Sequence, residues 1–197
     1  MDSGQAPRGP GAGIVIGVLA VQGDFGAHVR TLRSLGAAPR EVRTVPELEG
    51  LDALILPGGE STAIALGLER DGMAEPLRDR VRDGLPVLGT CAGMILMDRA
   101  HLGLLDIETR RNAFGRQLRS FESDVEIAEL GEGPVRGVFI RAPWVERCGP
   151  GVEVLATLDG HPVAVREGRR IAVAFHPELA RETRVHRMLV GMVSGER

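Results

Sequence analysis

The feature that most constrains the fold is a short apolar run that ends in Gly-Thr-Cys-Ala-Gly, residues 89–93. Residues 85–88 favour a buried strand, and apolar residues at helical spacing follow the motif. A strand that turns sharply into a helix presents the residue at the turn, here Cys91, and small neighbours let that turn form without clashes. The positive end of the helix dipole then favours thiolate over thiol. The pattern predicts a nucleophilic cysteine, although a buried cysteine that only packs is the commoner case.

A second stretch supplies groups that can activate a thiol. Strand-forming residues 171–175 lead to His176, and Glu178 follows two residues later. In an extended chain, residues i and i+2 face the same side, so Glu178 can reach one imidazole nitrogen while the other nitrogen faces a nucleophile. Cys91, His176 and Glu178 are thus predicted to be a nucleophile, a general acid/base and its orienting carboxylate. Taken alone, His176 is equally a strand-end histidine with a structural hydrogen bond.

Composition narrows the functions that the chain can perform. Its 197 residues carry a formal net charge of −3, which argues against nucleic acid or an anionic membrane as the main partner. No apolar run is long enough to span a membrane. All 24 basic residues are arginine, so neither Schiff-base chemistry on a lysine nor a Walker A phosphate loop is available. The two cysteines form no disulfide framework, which predicts a cytoplasmic protein.

The remaining histidines and the second cysteine show no spacing typical of a metal site. We therefore expect no metal and no cofactor, and we expect Cys148 to be an incidental loop thiol. Structural or surface roles are expected for His28, His101, His161 and His186.

Alternating strand and helix patterns predict the fold class. Residues 1–13 are rich in Gly and Pro and lack the apolar segment of a signal peptide, so we expect a disordered leader before a single domain of residues 14–197. The alternation predicts an α/β fold with three layers: a mostly parallel central sheet and helices on both faces. Strands are expected at 14–21, 40–45, 53–56, 85–90, 124–127, 135–140, 152–158, 163–167 and 170–175, and helices at 24–35, in two pieces within 60–84, at 93–100 and at 181–193.

Special sequences stand at several of these strand ends. Gln22-Gly23, residues 57–62, Cys91 and residues 176–178 each follow an expected strand. Ligands of parallel sheets bind outside the carboxyl ends of the strands, so these segments are predicted to line one crevice. Glycines in Pro-Gly-Gly-Glu allow a backbone N–H to point into the crevice, and with the amide of Ala92 it would form a two-donor oxyanion hole. The alternative is a plain turn before a helix.

The combination of these motifs resembles the triad-type glutamine amidotransferases with the flavodoxin-like class I fold. Four narrower stretches, residues 20–23, 58–62, 111–117 and 139–143, resemble the glutaminase subunits of pyridoxal 5′-phosphate synthases. The resemblance covers residues 14–193. It implies hydrolysis of L-glutamine to L-glutamate and ammonia without a cofactor, and transfer of the ammonia to a separate synthase subunit in a hetero-oligomer that makes vitamin B6.

Carried over by motif, the resemblance implies a role for each site residue. Cys91 would be the nucleophile, His176 the general acid/base and Glu178 its orienting carboxylate. An arginine suits a free α-carboxylate because its guanidinium pairs with it in bidentate fashion. The glutamine and oxyanion site would comprise Gly58, Gly59, Glu60, Ala92, Arg111, Ile140 and Arg141.

Three other interpretations stay open at this point. A glutaminase subunit of another amidotransferase would share the sharp strand-to-helix turn at Cys91 and the triad of Cys91, His176 and Glu178. A cysteine peptidase or amidase would not need the glutamine-binding arginines, and a catalytically dead regulatory subunit would not need an intact triad.

Overall fold

Strands and helices alternate through the first half of the chain. A computed structural model describes residues 13–23, 25–115, 120–131 and 133–195, so most of the expected leader lies outside it. The strands are β1 (Val15–Leu19), β2 (Ala38–Val42), β3 (Ala53–Leu56), β4 (Val87–Thr90), β5 (Ile107–Arg110), β6 (Ser120–Val125), β7 (Val135–Ile140), β8 (Trp144–Cys148), β9 (Glu153–Leu158), β10 (His161–Glu167) and β11 (Arg170–Val173). The α-helices are α1 (Phe25–Ser34), α2 (Ser61–Arg70), α3 (Ala74–Arg82), α4 (Ala92–Met97) and α5 (Arg184–Ser194), and 3-10 turns cover Val45–Leu48, Ala128–Leu130 and Pro177–Leu179.

A seven-stranded sheet forms the centre, in the order β2-β1-β3-β4-β11-β10-β9. The first five of these strands pair in parallel, whereas β10 and β9 extend the sheet in antiparallel fashion. Every residue of β3 and β4 is buried, as expected of strands covered on both faces. The predicted α/β fold with a mostly parallel central sheet is confirmed.

Helices cover both faces of this sheet. The connections β1–α1–β2 and β3–α2–α3–β4 run in opposite directions along the strand order, so right-handed crossovers place them on opposite faces. Helix α5 shares a face with α1, because His28 and His186 contact each other there. None of the described helices is both long and apolar enough to cross a membrane.

Two antiparallel pairs, β5–β8 and β6–β7, stand beside the central sheet. A run of aromatic contacts joins the second pair to the centre: Phe121 stacks on Phe139 at 4.8 Å between centroids, and Phe139 lies 5.4 Å from Phe175 at the end of β11. Phe139 and Phe175 are fully buried. These rings fix the end of β7 next to the end of β11.

The structure shifts several expected boundaries, and the strand expected at 124–127 covers Ser120–Val125. Two other shifts have a clear local cause. The second strand covers Ala38–Val42 instead of 40–45, because the Glu47 carboxylate accepts hydrogen bonds from the backbone of Arg43 and Thr44 and draws the chain into a 3-10 turn. The helix after Cys91 ends at Met97 instead of residue 100. The Asp98 carboxylate there accepts from the backbone N–H of Ala100, an alternative that competes with the helix.

Two strands were absent from the expected set, β5 and β8. Each is short, carries charged residues and pairs with a segment more than thirty residues away in the chain. Their sequences lack the regular apolar alternation that marks a strand, so only the long-range pairing reveals them.

Candidate active site

Cys91 occupies a strained turn between β4 and α4. Its backbone angles φ and ψ are 49° and −105°, a conformation that residues other than glycine seldom adopt. The flanking glycines make the turn possible: a Cβ at Gly93 would clash with the carbonyl oxygen of Leu56, and one at Gly89 would meet the backbone of Gly93. The Cys91 N–H donates to the Val173 carbonyl at 2.8 Å, which ties the turn to β11.

The imidazole and the carboxylate of the sequence-predicted triad are in direct contact. His176 Nδ1 lies 2.8 Å from Glu178 Oε1, and the His176 backbone N–H donates to the Val138 carbonyl at 2.8 Å. The sequence predicted an extended backbone from His176 to Glu178, and this prediction is wrong. Pro177–Leu179 forms a 3-10 turn that brings the carboxylate back to the ring.

The environment of His176 favours its protonated form. Burial lowers the pKa of His176, but the hydrogen bond to Glu178, the neighbouring Cys91 and the charges on both outweigh burial and raise that pKa to about 10. The sulfur itself lies 3.7 Å from the Ile140 carbonyl oxygen, to which the thiol donates in this structure. An imidazolium beside the sulfur stabilises negative charge there, which is the state in which a thiol acts as a nucleophile.

A cavity of about 390 Å³ opens over the sulfur. It brings together the ends of β3, β4 and β11 and the loops that follow β5 and β7. Its walls include every predicted site residue except Glu178, which lies behind the imidazole. The lining residues are Gly58, Gly59, Glu60, Ser61, Cys91, Ala92, Ile95, Arg111, Asn112, Ile140, Arg141, His176 and Leu179.

Gly58, Gly59 and Ala92, the residues of the predicted oxyanion hole, line the cavity. A Cβ at Gly58 would run into the His176 ring, so only glycine lets this backbone approach the imidazole. The backbone of Gly59 has a φ of 152°, a positive value that glycine adopts more readily than other residues. The Ala92 N–H belongs to the first turn of α4, where backbone donors lack an intrahelical acceptor.

A carboxylate and a guanidinium face each other across the cavity mouth. The Glu60 carboxylate accepts from the backbone N–H groups of Thr62 and Ala63 at 3.0 and 2.7 Å, which lowers the pKa of Glu60 and keeps it charged. Arg111 donates to Glu60 Oε1 at 3.0 Å and to Thr62 Oγ1 at 3.1 Å. The site thus holds a fixed negative and a fixed positive group beside the thiol.

Sequence reasoning missed several lining residues. Asn112 has a φ of 49°, and asparagine tolerates that conformation better than most residues, so its identity was the available signal. Ser61 stands inside the 58–62 stretch that carries the family resemblance, whereas Ile95 and Leu179 have no such signal. Residues 116 and 117 of the predicted 111–117 motif lie outside the described residues. In the described ranges, no group of three or more His, Cys, Asp or Glu side chains is arranged to hold a metal ion.

Comparisons with known proteins show the family of this chain. Residues 18–195 match the model of the SNO glutamine amidotransferase family. A Nocardia farcinica protein named pyridoxal 5′-phosphate synthase subunit PdxT is 54% identical over 192 residues, which cover 90% of this chain and 85% of that protein. A protein of the same name from Mycolicibacterium vanbaalenii is 53% identical over 191 residues, which cover 91% of this chain and 97% of that protein.

Solved structures show the same fold. A glutamine amidotransferase crystal structure, 47% identical, superposes with a TM-score of 0.85 over 92% of this chain and 100% of that one. A chain in the structure of PurLQS from Thermotoga maritima, 17% identical, shares the fold at a TM-score of 0.70 over 92% of this chain and 99% of that one. By its sequence match, its architecture and its relatives, the chain belongs to the SNO glutamine amidotransferase family.

Proposed function

We propose that this chain is the glutaminase subunit of a pyridoxal 5′-phosphate synthase. It hydrolyses L-glutamine to L-glutamate and ammonia, and a separate synthase subunit consumes the ammonia in vitamin B6 biosynthesis. The observation that carries the proposal is the strained Cys91 beside the His176–Glu178 pair, in a cavity that also holds Arg111 and Arg141. Family membership and relatives above 50% identity support it.

Glutamine fits the charges of the cavity. Its α-ammonium group would pair with the Glu60 carboxylate, and its α-carboxylate would pair with Arg111 or Arg141. The Arg111–Glu60 ion pair shows that these two side chains reach the same point, where the two charges of an amino acid would enter between them. The side-chain amide of glutamine then extends towards Cys91.

The first half of the reaction forms a thioester. The Cys91 thiolate, paired with the His176 imidazolium, attacks the side-chain carbonyl carbon of glutamine. The carbonyl oxygen becomes an oxyanion that the Gly59 and Ala92 amides stabilise. His176 donates its proton to the departing nitrogen, the C–N bond breaks, and ammonia leaves behind a glutamyl thioester on Cys91.

The second half regenerates the thiolate. Neutral His176 removes a proton from a water molecule, which attacks the thioester carbonyl carbon. The C–S bond breaks, glutamate leaves, and the imidazolium–thiolate pair is restored. Glu178 holds the imidazole throughout and stabilises its positive charge.

Dependence on a partner follows from the chemistry that the chain lacks. Without lysine it cannot use ammonia through a side-chain imine, and free hydrolysis would waste the nitrogen. We infer that glutamine hydrolysis is weak in the isolated chain and is switched on by a synthase subunit. The Pro57-Gly58-Gly59 segment is a suitable switch, because rotation of one glycine peptide could add or remove an oxyanion donor, worth about a hundred- to a thousandfold in rate.

The test is to measure ammonia release by the purified chain with and without a cognate synthase subunit. We expect release to rise at least tenfold on adding the subunit, with one glutamate formed per ammonia. Turnover of peptides instead of glutamine would indicate a cysteine amidase. Activation only by the synthase of another amidotransferase would reassign the partner.

A further inference from the structure

A buried polar chain continues from Glu178 into the protein interior. His28 on α1 places Nε2 3.5 Å from Glu178 Oε1, the oxygen that also contacts His176, and 3.2 Å from the Thr90 hydroxyl. Nδ1 of His28 lies 2.8 Å from Nε2 of His186 on α5. His28, His186 and Thr90 are fully buried. Helices α1 and α5 thus carry side chains that extend the predicted triad by two residues.

The Glu178 carboxylate determines which ring nitrogens of His28 and His186 carry a proton. A bare ring nitrogen at His28 Nε2 would face the negative Glu178 oxygen, whereas an N–H there attracts it. With Nε2 protonated, neutral His28 accepts at Nδ1, so His186 donates from its Nε2 and keeps Nδ1 as an acceptor. Both N–H groups then point towards Glu178.

Both histidines are neutral at neutral pH. Burial, followed by the charges of His186 and His176, holds the pKa of His28 well below its usual range, and burial lowers that of His186 to about 4 against the opposing charge of Glu182. A neutral His28 presents an N–H dipole to Glu178 without competing as a second cation. The charge of the carboxylate therefore remains available to the His176 imidazolium.

Among the described residues, the Glu178 carboxylate has a single hydrogen bond, with His176. Its second oxygen, Oε2, is buried and finds no hydrogen-bond partner among the described residues. A buried carboxylate with so few donors is held in place only by those it has. Here the closest are His176, at 2.8 Å, and Nε2 of His28, at 3.5 Å, which also lies 3.2 Å from the Thr90 hydroxyl.

We propose that His28 and His186 are positioning residues for the triad, fixing the Glu178 carboxylate and through it the His176 imidazole that faces Cys91. The inference rests on the proposed glutaminase function and adds two residues to its machinery. The two histidines act by directing their N–H groups towards the Glu178 carboxylate. If His28 and His186 only filled space between α1 and α5, an apolar side chain of similar size would serve equally well.

The experiment compares His28→Leu, which keeps the apolar volume, with His28→Gln, whose amide N–H can stand in for Nε2–H. Each variant is assayed for glutamine hydrolysis in complex with the synthase subunit. We expect His28→Leu to lower kcat about ten- to a hundredfold, by analogy with the loss of the outer hydrogen-bond partner of a metal-binding imidazole. The KM for glutamine stays within about twofold, since the chain does not touch the cavity. His28→Gln restores most of kcat.

Val29→Ala is the matched control, because Val29 is buried on the same helix but points to a different side from His28. It should lower the thermal midpoint and leave kcat unchanged. A second measurement needs no glutaminase activity: the low-field proton NMR signal of the His176 Nδ1–H that is bound to Glu178. This signal should shift or broaden in His28→Leu and persist in His28→Gln and in Val29→Ala.

These two measurements separate the possible failures. An inactive wild-type complex whose NMR signal still responds to His28→Leu would overturn the glutaminase function and keep the positioning chain. An active complex in which His28→Leu matches the wild type in kcat and in the NMR signal would overturn the positioning role of His28 and His186 and leave the glutaminase function standing. If His28→Leu does not fold, His186→Leu and His186→Gln repeat the comparison. Failure of both leucine variants to fold would assign the histidines to the core and overturn the proposal.

Discussion

The reacting groups and the substrate-binding groups come from two regions that are built differently. Cys91 and His176 follow the parallel strands β4 and β11, whose residues are all buried except Arg170. Arg111 and Arg141 follow β5 and β7, which belong to small antiparallel pairs with exposed side chains. The chemistry is fixed by the interior of the sheet, whereas recognition of glutamine is assigned to loops at its border.

The two regions also hold their residues in place by different forces. The triad rests on apolar packing and buried hydrogen bonds. The β6–β7 pair carries exposed ion pairs such as Arg136 with Glu122 and Asp124, which solvent screening makes weak. Substitutions in the first region should therefore change kcat, and those in the second should change the KM for glutamine.

The largest effect is expected at the nucleophile. Cys91→Ala removes the atom that forms the thioester, so kcat for glutamine should fall by about 10⁶-fold. Steady-state ammonia release in the presence of the synthase subunit measures it. Cys148→Ala, at the exposed cysteine of β8, is the matched control and should retain full activity. Substantial turnover by Cys91→Ala would remove the sulfur from the mechanism.

Substitutions of His176 and Glu178 should lower kcat to different extents. His176→Ala removes the group that moves protons, and its kcat should approach that of Cys91→Ala. Glu178→Gln keeps the size of the side chain but loses its charge, so kcat should fall less, by about a hundred- to ten-thousandfold. Equal or greater damage in Glu178→Gln would mean that the carboxylate does more than orient and stabilise the imidazole.

The antiparallel region should respond in KM. Arg141→Ala or Arg111→Ala removes a charged donor for the α-carboxylate, and the KM for glutamine should rise about ten- to a hundredfold with little change in kcat. Arg110→Ala is the control: Arg110 precedes Arg111, pairs with Glu146 and lies outside the cavity wall. An unchanged KM in Arg141→Ala would exclude this residue from the glutamine pocket.

The smallest effect concerns stability in acid. His186 has a pKa of about 4 in the folded chain and about 6.5 when unfolded, because burial disfavours its charged form. Between these values the unfolded chain binds more protons, so the stability that is complete above pH 6.5 is lost as the pH falls towards 4. The free energy of unfolding should drop by about 1–2 kcal/mol more in the wild type than in His186→Gln. Urea titrations at pH 7 and pH 4.5 measure the difference, and parallel losses would contradict it.

The same division explains what the sequence could predict. The parallel strands carry continuous apolar runs and end in Gly-x-Cys-x-Gly and His-Pro-Glu, so local pattern revealed both the strands and the residues at their ends. Strands β5 and β8 lack such a pattern, and only the resemblance to a family singled out Arg111 and Arg141 among 24 arginines. Contact between His28 and His186 joins residues 158 positions apart, which no local spacing encodes.

The central claim is that Cys91 is the nucleophile of a glutamine site, and the most direct measurement is where a glutamine-like electrophile reacts. A diazo-ketone analogue of glutamine takes up a proton at its diazo carbon, which the His176 imidazolium can supply, forms a carbon–sulfur bond with the attacking thiolate and loses dinitrogen. Peptide mapping of the labelled complex should find the adduct on Cys91, with labelling slowed by excess glutamine and Cys148 unmodified. An adduct on Cys148, or labelling that glutamine does not slow, would contradict the account.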